Sequence, residues 1–206
     1  MRVPNATHEA RPWRIHEIVP DFTLEDVWAT PMHGRADDFE AALEMITSAD
    51  PANADSAPAR FLWRFRDRLG TLFDLGGISA PVEADENRLP IPGTHETSLA
   101  GRLPDDLCGT AREVQFAALP FTPLYRTEDE FAAEVSNRTV HGVMHLARVD
   151  VGDGRYQAQI AVYVKPRGRF GDAYMALIRP FRRWIVYPAL TRQLEREWLE
   201  REGAPR

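Results

Sequence analysis

The sequence predicts an α+β domain: an antiparallel sheet packed on a long, proline-kinked C-terminal helix, with extra helices in the N-terminal half. Three observations carry this prediction. Residues 139–149 and 155–165 are rich in β-branched side chains and flank a Gly-Asp-Gly turn. Residues 171–199 place Tyr174, Leu177, Ile178, Phe181, Ile185 and Leu194 on one helical stripe, interrupted by Pro180 and Pro188. Residues 37–47 and 59–73 carry helical spacing upstream of both. At 206 residues and 44% apolar composition, residues 1–206 fit one domain with a sizeable core.

From the N-terminus, residues 13–19 (WRIHEIV) loosely alternate apolar and polar and predict a strand closed by Pro20. Asp21 or Thr23 then caps a short helix over LEDVWA, with Glu25 and Asp26 near its positive end. In 37–47, Phe39, Leu43 and Ile46 recur at helical spacing, and the helix ends before Asp50-Pro51. In 59–73, Phe61, Leu62, Phe65, Leu69 and Leu72 form one stripe, stopped by Gly76-Gly77. Residues 76–112 hold prolines and glycines with weak periodicity and predict a long irregular loop, mobile or serving as a lid. The stretch 114–126 is strand-like but broken by Pro120 and Pro123, which suits a sheet edge. Thr127 and Glu130 form a T-x-x-E capping box that opens a short helix, EDEFAAEV. The hairpin follows, its Asp153-Gly154 turn matching the positive φ angles of a type I′ turn.

Within that hairpin, residues 141–145 read HGVMH. Four residues apart on a helix, two histidines make half of a metal site. On a strand, at about 3.3 Å per residue, they lie about 13 Å apart and cannot both stand ~2 Å from one zinc ion. The β-branched neighbours favour the strand, so no metal is expected there. A two-residue turn pairs His145 with Val162, Val143 with Val164 and Ala147 with Ile160, unless a bulge alters the face. His141 and His145 then share an inward apolar face, while Gln157, Gln159, Lys165 and Tyr163 occupy the other. An inward imidazole needs a hydrogen-bond partner or a cavity with water or ligand. Spacing identifies no carboxylate partner for either ring.

Charge and composition narrow the function classes. The chain carries a net charge of −6, which disfavours nucleic acid as a partner. Between 165 and 183, six basic residues stand against one acid, so this segment is +5. Arg167, Arg169, Arg179 and Arg183 within it read either as a solvated face or as a patch for an anionic ligand or acidic partner. The lone Cys108 excludes an internal disulfide, and the polar, proline-interrupted N-terminus lacks a signal-peptide core. The most apolar run, WIVYPAL, is too short to span a bilayer, so a cytoplasmic location without a transmembrane segment is expected. KPRGRFGD lacks the full dinucleotide-binding glycine pattern, and neither a phosphate loop nor a nucleophile elbow is present.

The stretch YQAQIAVYVKPRGRFGDAYMALIRPFRRWIVYPAL, with Pro166-Arg167-Gly168, Gly171, Tyr174 and Pro180-Phe181, resembles a bacterial family of unknown function. That family occurs alone and as the tail of some short-chain-dehydrogenase-like fusion proteins. FLWRFRDRLG and PWRIHEIVPDF are similar to it as well, so the resemblance spans most of the chain outside 76–112. The family is similar to the helix-grip superfamily of START domains, pollen-allergen-like binders and polyketide cyclases. The resemblance implies a sheet of six or seven strands gripping a C-terminal helix around an apolar cavity. The residues themselves predict about four strands. No nicotinamide cofactor carries over, because the fused dehydrogenase domain is absent, and no cofactor is expected.

The expected function is a small-molecule binding protein whose apolar internal cavity takes a lipid-like or polycyclic ligand, with His141, His145, Tyr163 and Tyr174 as polar handles. A cyclase or dehydratase-like enzyme using a pocket histidine as base is the alternative, and requires a carboxylate within reach of that histidine. A non-catalytic interaction domain using the basic 165–183 strip is the third reading.

Overall fold

The computed structural model describes residues 1–35, 38–49, 98–136, 140–166, 192, 194–196 and 198–200. The expected 59–73 helix, most of the 76–112 loop and most of the 171–199 helix lie outside the described residues. The elements are β1 (Arg2–Val3), α1 (Asn5–Glu9), α2 (Ile15–Ile18), β2 (Thr23–Gly34), α3 (Asp38–Ser48), β3 (Thr122–Arg126), β4 (Glu130–Ser136), β5 (Val140–Gly152) and β6 (Arg155–Pro166). Short 3₁₀ turns cover Leu99–Arg102 and Asp105–Leu107. Residues 192, 194–196 and 198–200 are helical. Among the described residues, no helix is long and apolar enough to cross a membrane.

The strands form one six-stranded sheet in the order β1-β2-β6-β5-β4-β3, every pairing antiparallel. Strands β3 to β6 are a meander, and β2 returns from the N-terminal side to pair with β6. Proline-containing β3 is at an edge, where a missing ladder donor costs least. Pro31 in β2 falls in the register irregularity between Ala29 and His33, beyond the reach of two-residue β1.

Three local expectations are corrected. WRIHEIV is not a strand, since Ile15–Ile18 form a helical turn whose two isoleucines are fully buried. LEDVWA is not a helix but part of β2, drawn out by its pairing with β6. EDEFAAEV is not a helix either, because β3 and β5 claim it from both sides as β4. Thr127 Oγ1 still accepts the Glu130 N–H at 2.9 Å, as the capping box requires, but within a hairpin turn. Intrinsic helix propensity in this alanine- and glutamate-rich segment yields to two rows of ladder hydrogen bonds.

The β5–β6 turn forms as expected and then changes the face. Gly152 pairs with Arg155 across a two-residue turn in which Asp153 and Gly154 have φ of 55° and 67°. One residue on, the exposed Val151 interrupts the register, so Asp150 pairs with Tyr156 and His145 with Ala161 instead of Val162. Val143 therefore pairs with Tyr163 and Ala147 with Gln159, and Tyr163, Gln159 and Lys165 share the histidine face. Ile160 and Val162 sit on the opposite face with Met144 and Leu146. Substituting Gly154 by alanine puts a Cβ at positive φ and should cost about 1 kcal/mol; a urea titration showing a lower midpoint with unchanged slope checks this.

Both faces of the sheet are covered. On the histidine face, Trp13, Ile15, Ile18, Val19, Leu99 and Leu107 pack over Val143, Ala161 and Tyr163. On the other, Phe39, Leu43 and Ile46 of α3, with Leu194 and Trp198, pack over Met144, Leu146 and Ile160. Each isoleucine of α2 contributes about 1.5–3 kcal/mol by leaving water, which holds the N-terminal segment against the sheet.

Candidate functional site

The histidine face carries two glutamates at the same spacing as the histidines. Glu130, Ala132 and Glu134 alternate toward this face on β4, as His141, Val143 and His145 do on β5. Ala132 pairs with His145 and Ser136 with His141, so each carboxylate stands diagonal to one imidazole. His145 Nε2 lies 2.9 Å from Glu130 Oε2, and His141 Nε2 lies 2.8 Å from Glu134 Oε2. All four side chains are buried, His145 completely.

Each carboxylate also ties down a covering segment. Glu130 accepts the backbone N–H groups of Arg14 at 2.9 Å and Ile15 at 3.4 Å, and the Tyr125 hydroxyl at 2.7 Å. Glu134 accepts the Leu99 N–H at 3.1 Å and the Ser98 hydroxyl. Burial pushes the Glu130 carboxyl up, but donation by His145, its charge, and the Arg14 and Tyr125 donors outweigh it and hold the carboxyl below its usual range. An ionised carboxylate only accepts, so the His145 proton facing it is on Nε2, leaving Nδ1 toward the interior.

The pairs differ in what lies behind them. His141 meets the edge of Phe22 at 5.1 Å between ring centroids. His145 instead opens onto a polar cluster brought by the N-terminal segment. His8, in the last turn of α1, has ring centroids 5.3 Å from His145, 5.9 Å from Trp13, 5.9 Å from His16 and 6.0 Å from Tyr163. Among the described residues, His8 Nδ1 and Nε2, His16 Nε2, His145 Nδ1, Trp13 Nε1 and the Tyr163 hydroxyl are buried without a hydrogen-bond partner. Burial, followed by the charges of His145 and His16, lowers the His8 pKa to about 3, so this ring is neutral. Burial also lowers His16 and raises the Tyr163 phenol.

Of the residues singled out in the sequence, the structure thus brings together His145 and Tyr163 on one face, with His141 four positions along β5. Tyr163 faces inward rather than outward, because of the bulge at Val151. Tyr174, Arg167, Arg169, Arg179 and Arg183 lie outside the described residues. Lys165, which opens the basic strip, is bound 2.6 Å from Asp21, which also pairs with Arg102. As partners of the histidines, Glu130, read in the sequence only as a capping residue, and Glu134 went unrecognised, although their E-x-x-x-E spacing copies the histidines. His8 and His16 carried no signal, since only the folded N-terminal segment puts them there.

The two β5 histidines turn to separate carboxylates and share no ligand position. Among the described residues, no group of three or more His, Cys, Asp or Glu side chains is placed to hold a metal ion. A hollow of about 420 Å³ lies elsewhere, lined by Leu103, Cys108, Ala111, Arg112, Val114 and Leu124 among others.

Residues 18–189 match the family described as protein of unknown function (DUF2867), and the chain belongs to that family. Both histidine–glutamate pairs and Tyr163 fall within the matched residues, whereas His8, Trp13 and His16 precede them. Comparison with curated proteins and with solved structures gives no match.

Proposed function

We propose that this member of the DUF2867 family is an acid–base enzyme of the cyclase or dehydratase type, with His145 as general base and Glu130 holding its tautomer. One observation supports this reading above the others: a buried imidazole, packed against the His8 and Trp13 rings, with a carboxylate on Nε2 and no partner on Nδ1. The carboxylate stabilises the imidazolium that forms when Nδ1 takes a proton, and fixes which nitrogen takes it. Docking of the N-terminal segment accounts for Glu130, but it does not account for a polar ring left open behind it. An apolar interior with a few hydroxyl and imidazole groups suits a small neutral molecule bearing hydroxyl or carbonyl groups. The helix-grip likeness belongs to this proposal, and a six-stranded antiparallel sheet is compatible with it.

The test is to incubate the protein with small β-hydroxy and β-keto carbonyl compounds and follow gain or loss of water by mass spectrometry. Conversion that falls by roughly 10²–10⁴ in His145→Asn is the expected result for a lost general base. Equal activity in His145→Asn overturns it. No conversion, together with an apolar ligand retained in native mass spectrometry, would instead favour a carrier of lipid-like or polycyclic molecules.

A further inference from the structure

We infer that the hollow beside edge strand β3 is a binding site for a small carboxylate with an aliphatic body, its head held by Arg112. This goes beyond the acid–base reading, since none of the lining residues belongs to the histidine–glutamate pairs. The hollow arises where residues 98–114 wrap around the edge of the sheet. Leu103 and Leu124 pack with the core over the histidine face, whereas Ala111 and Val114 pack with the core over the other. The Thr110 hydroxyl accepts the Arg126 N–H at 3.0 Å and pins the wrap to β3. Between wrap and strand remains a space of about 420 Å³, within the range of small-molecule pockets.

Floor and rim of this hollow differ in chemistry. Leu124 and Ala111 are buried and make the floor apolar, whereas Cys108, Gly109 and Arg112 are exposed at the rim. Among the described residues, Arg112 is the one charged side chain lining the hollow, and it has no hydrogen-bond or ion-pair partner. Gly109 seats it there. With φ at 76°, a Cβ on Gly109 would stand 2.7 Å from Arg112 Nε and 3.0 Å from its Cζ. The missing Cβ thus lets the guanidinium fold back against the turn at the rim. A guanidinium takes a carboxylate through two parallel hydrogen bonds, and the buried floor removes an alkyl chain from water. One cation over an apolar floor suits a monoanion with an aliphatic tail better than a multiply charged phosphate, which needs several donors.

Cys108, the chain's only cysteine, lies on the rim and reports occupancy. Octanoate should slow the reaction of this thiol with neutral dithiodipyridine in a saturable manner. Octanol and acetate, each lacking one half of the ligand, should protect weakly. Arg112→Gln should raise the octanoate concentration for half protection by roughly tenfold or more, as expected for a lost hydrogen bond to a charged group. Arg112→Lys, which keeps the charge without the fork, should raise it by less. Added salt should weaken protection in wild type and leave Arg112→Gln unchanged. Calorimetric titration of Cys108→Ser with octanoate, free of any thiol probe, should give the same affinity. Equal protection by octanol, unchanged protection in Arg112→Gln, or no protection by octanoate below micelle formation overturns the inference. Thiol reactivity that falls with rising protein concentration, without octanoate, would show that a second copy of the chain covers the hollow and overturns it too. Every arm leaves His145 intact, so a failure here does not touch the enzyme reading.

Discussion

Glu130→Ala is expected to destabilise the fold by about 3–5 kcal/mol, the cost of breaking a buried charged network from one side. The carboxylate gathers four donors: Arg14 N–H, Ile15 N–H, the Tyr125 hydroxyl and His145 Nε2–H. Alanine leaves them all unpaired in a site where Ile15, Tyr125 and His145 are fully buried. Glu130→Gln keeps one acceptor oxygen and turns an N–H₂ toward donors, so its loss should fall between wild type and alanine. Because Arg14 and Ile15 hold the N-terminal segment, Trp13 should become exposed in Glu130→Ala, with red-shifted fluorescence before the main urea transition. A loss under about 1 kcal/mol, the size of one ordinary hydrogen bond, would show that this carboxylate does not organise the segment.

Acid should release the same segment. The folded His8 pKa, about 3, lies below its ordinary 6.5. A depressed folded pKa means that the unfolded chain binds the extra proton first, so stability is fully present above pH 6.5 and falls as the pH drops from 6.5 toward 3. The slope is at most about 1.4 kcal/mol per pH unit. His16, also lowered, acts in the same direction. Glu130, held below its usual range, adds a further loss at more acid pH as it protonates. His8→Leu removes the largest of these contributions together with two unpaired polar atoms. At pH 7.5 it should be neutral or stabilising by about 1 kcal/mol, and between pH 6.5 and 4.5 its urea midpoint should decline less than that of wild type. An identical decline in both proteins would show that His8 is not the acid-sensitive group.

The residue spacing that made the site visible also disguised its surroundings. Side chains at i and i+4 share a face on a helix and on a strand alike. HGVMH and EFAAE therefore look the same in either element. For HGVMH, the neighbouring valines and the Asp153-Gly154 turn decided in favour of a strand. For EFAAE, alanine and a capping box pointed to a helix, and the partner of His145 went unseen for that reason. In the same way, residues 13–19 and 24–29 exchanged their elements. Four consecutive helical residues and one long strand are separated by which of them finds a neighbour, and β6, more than a hundred residues downstream, supplies it.

The sequence by itself determined the β5–β6 hairpin, helix α3, the proline-marked edge at β3 and the shared face of His141 and His145. These rest on local causes: φ preferences at a turn, one apolar stripe, a missing N–H and the alternation of side chains along a strand. Only the tertiary structure decided which residues face the histidines. The bulge at Val151 moves Tyr163 onto their face, β4 delivers the carboxylates, and the folded N-terminal segment delivers His8 and His16. Each of these depends on pairing or packing between segments far apart in the chain, whose strength no local window of residues encodes.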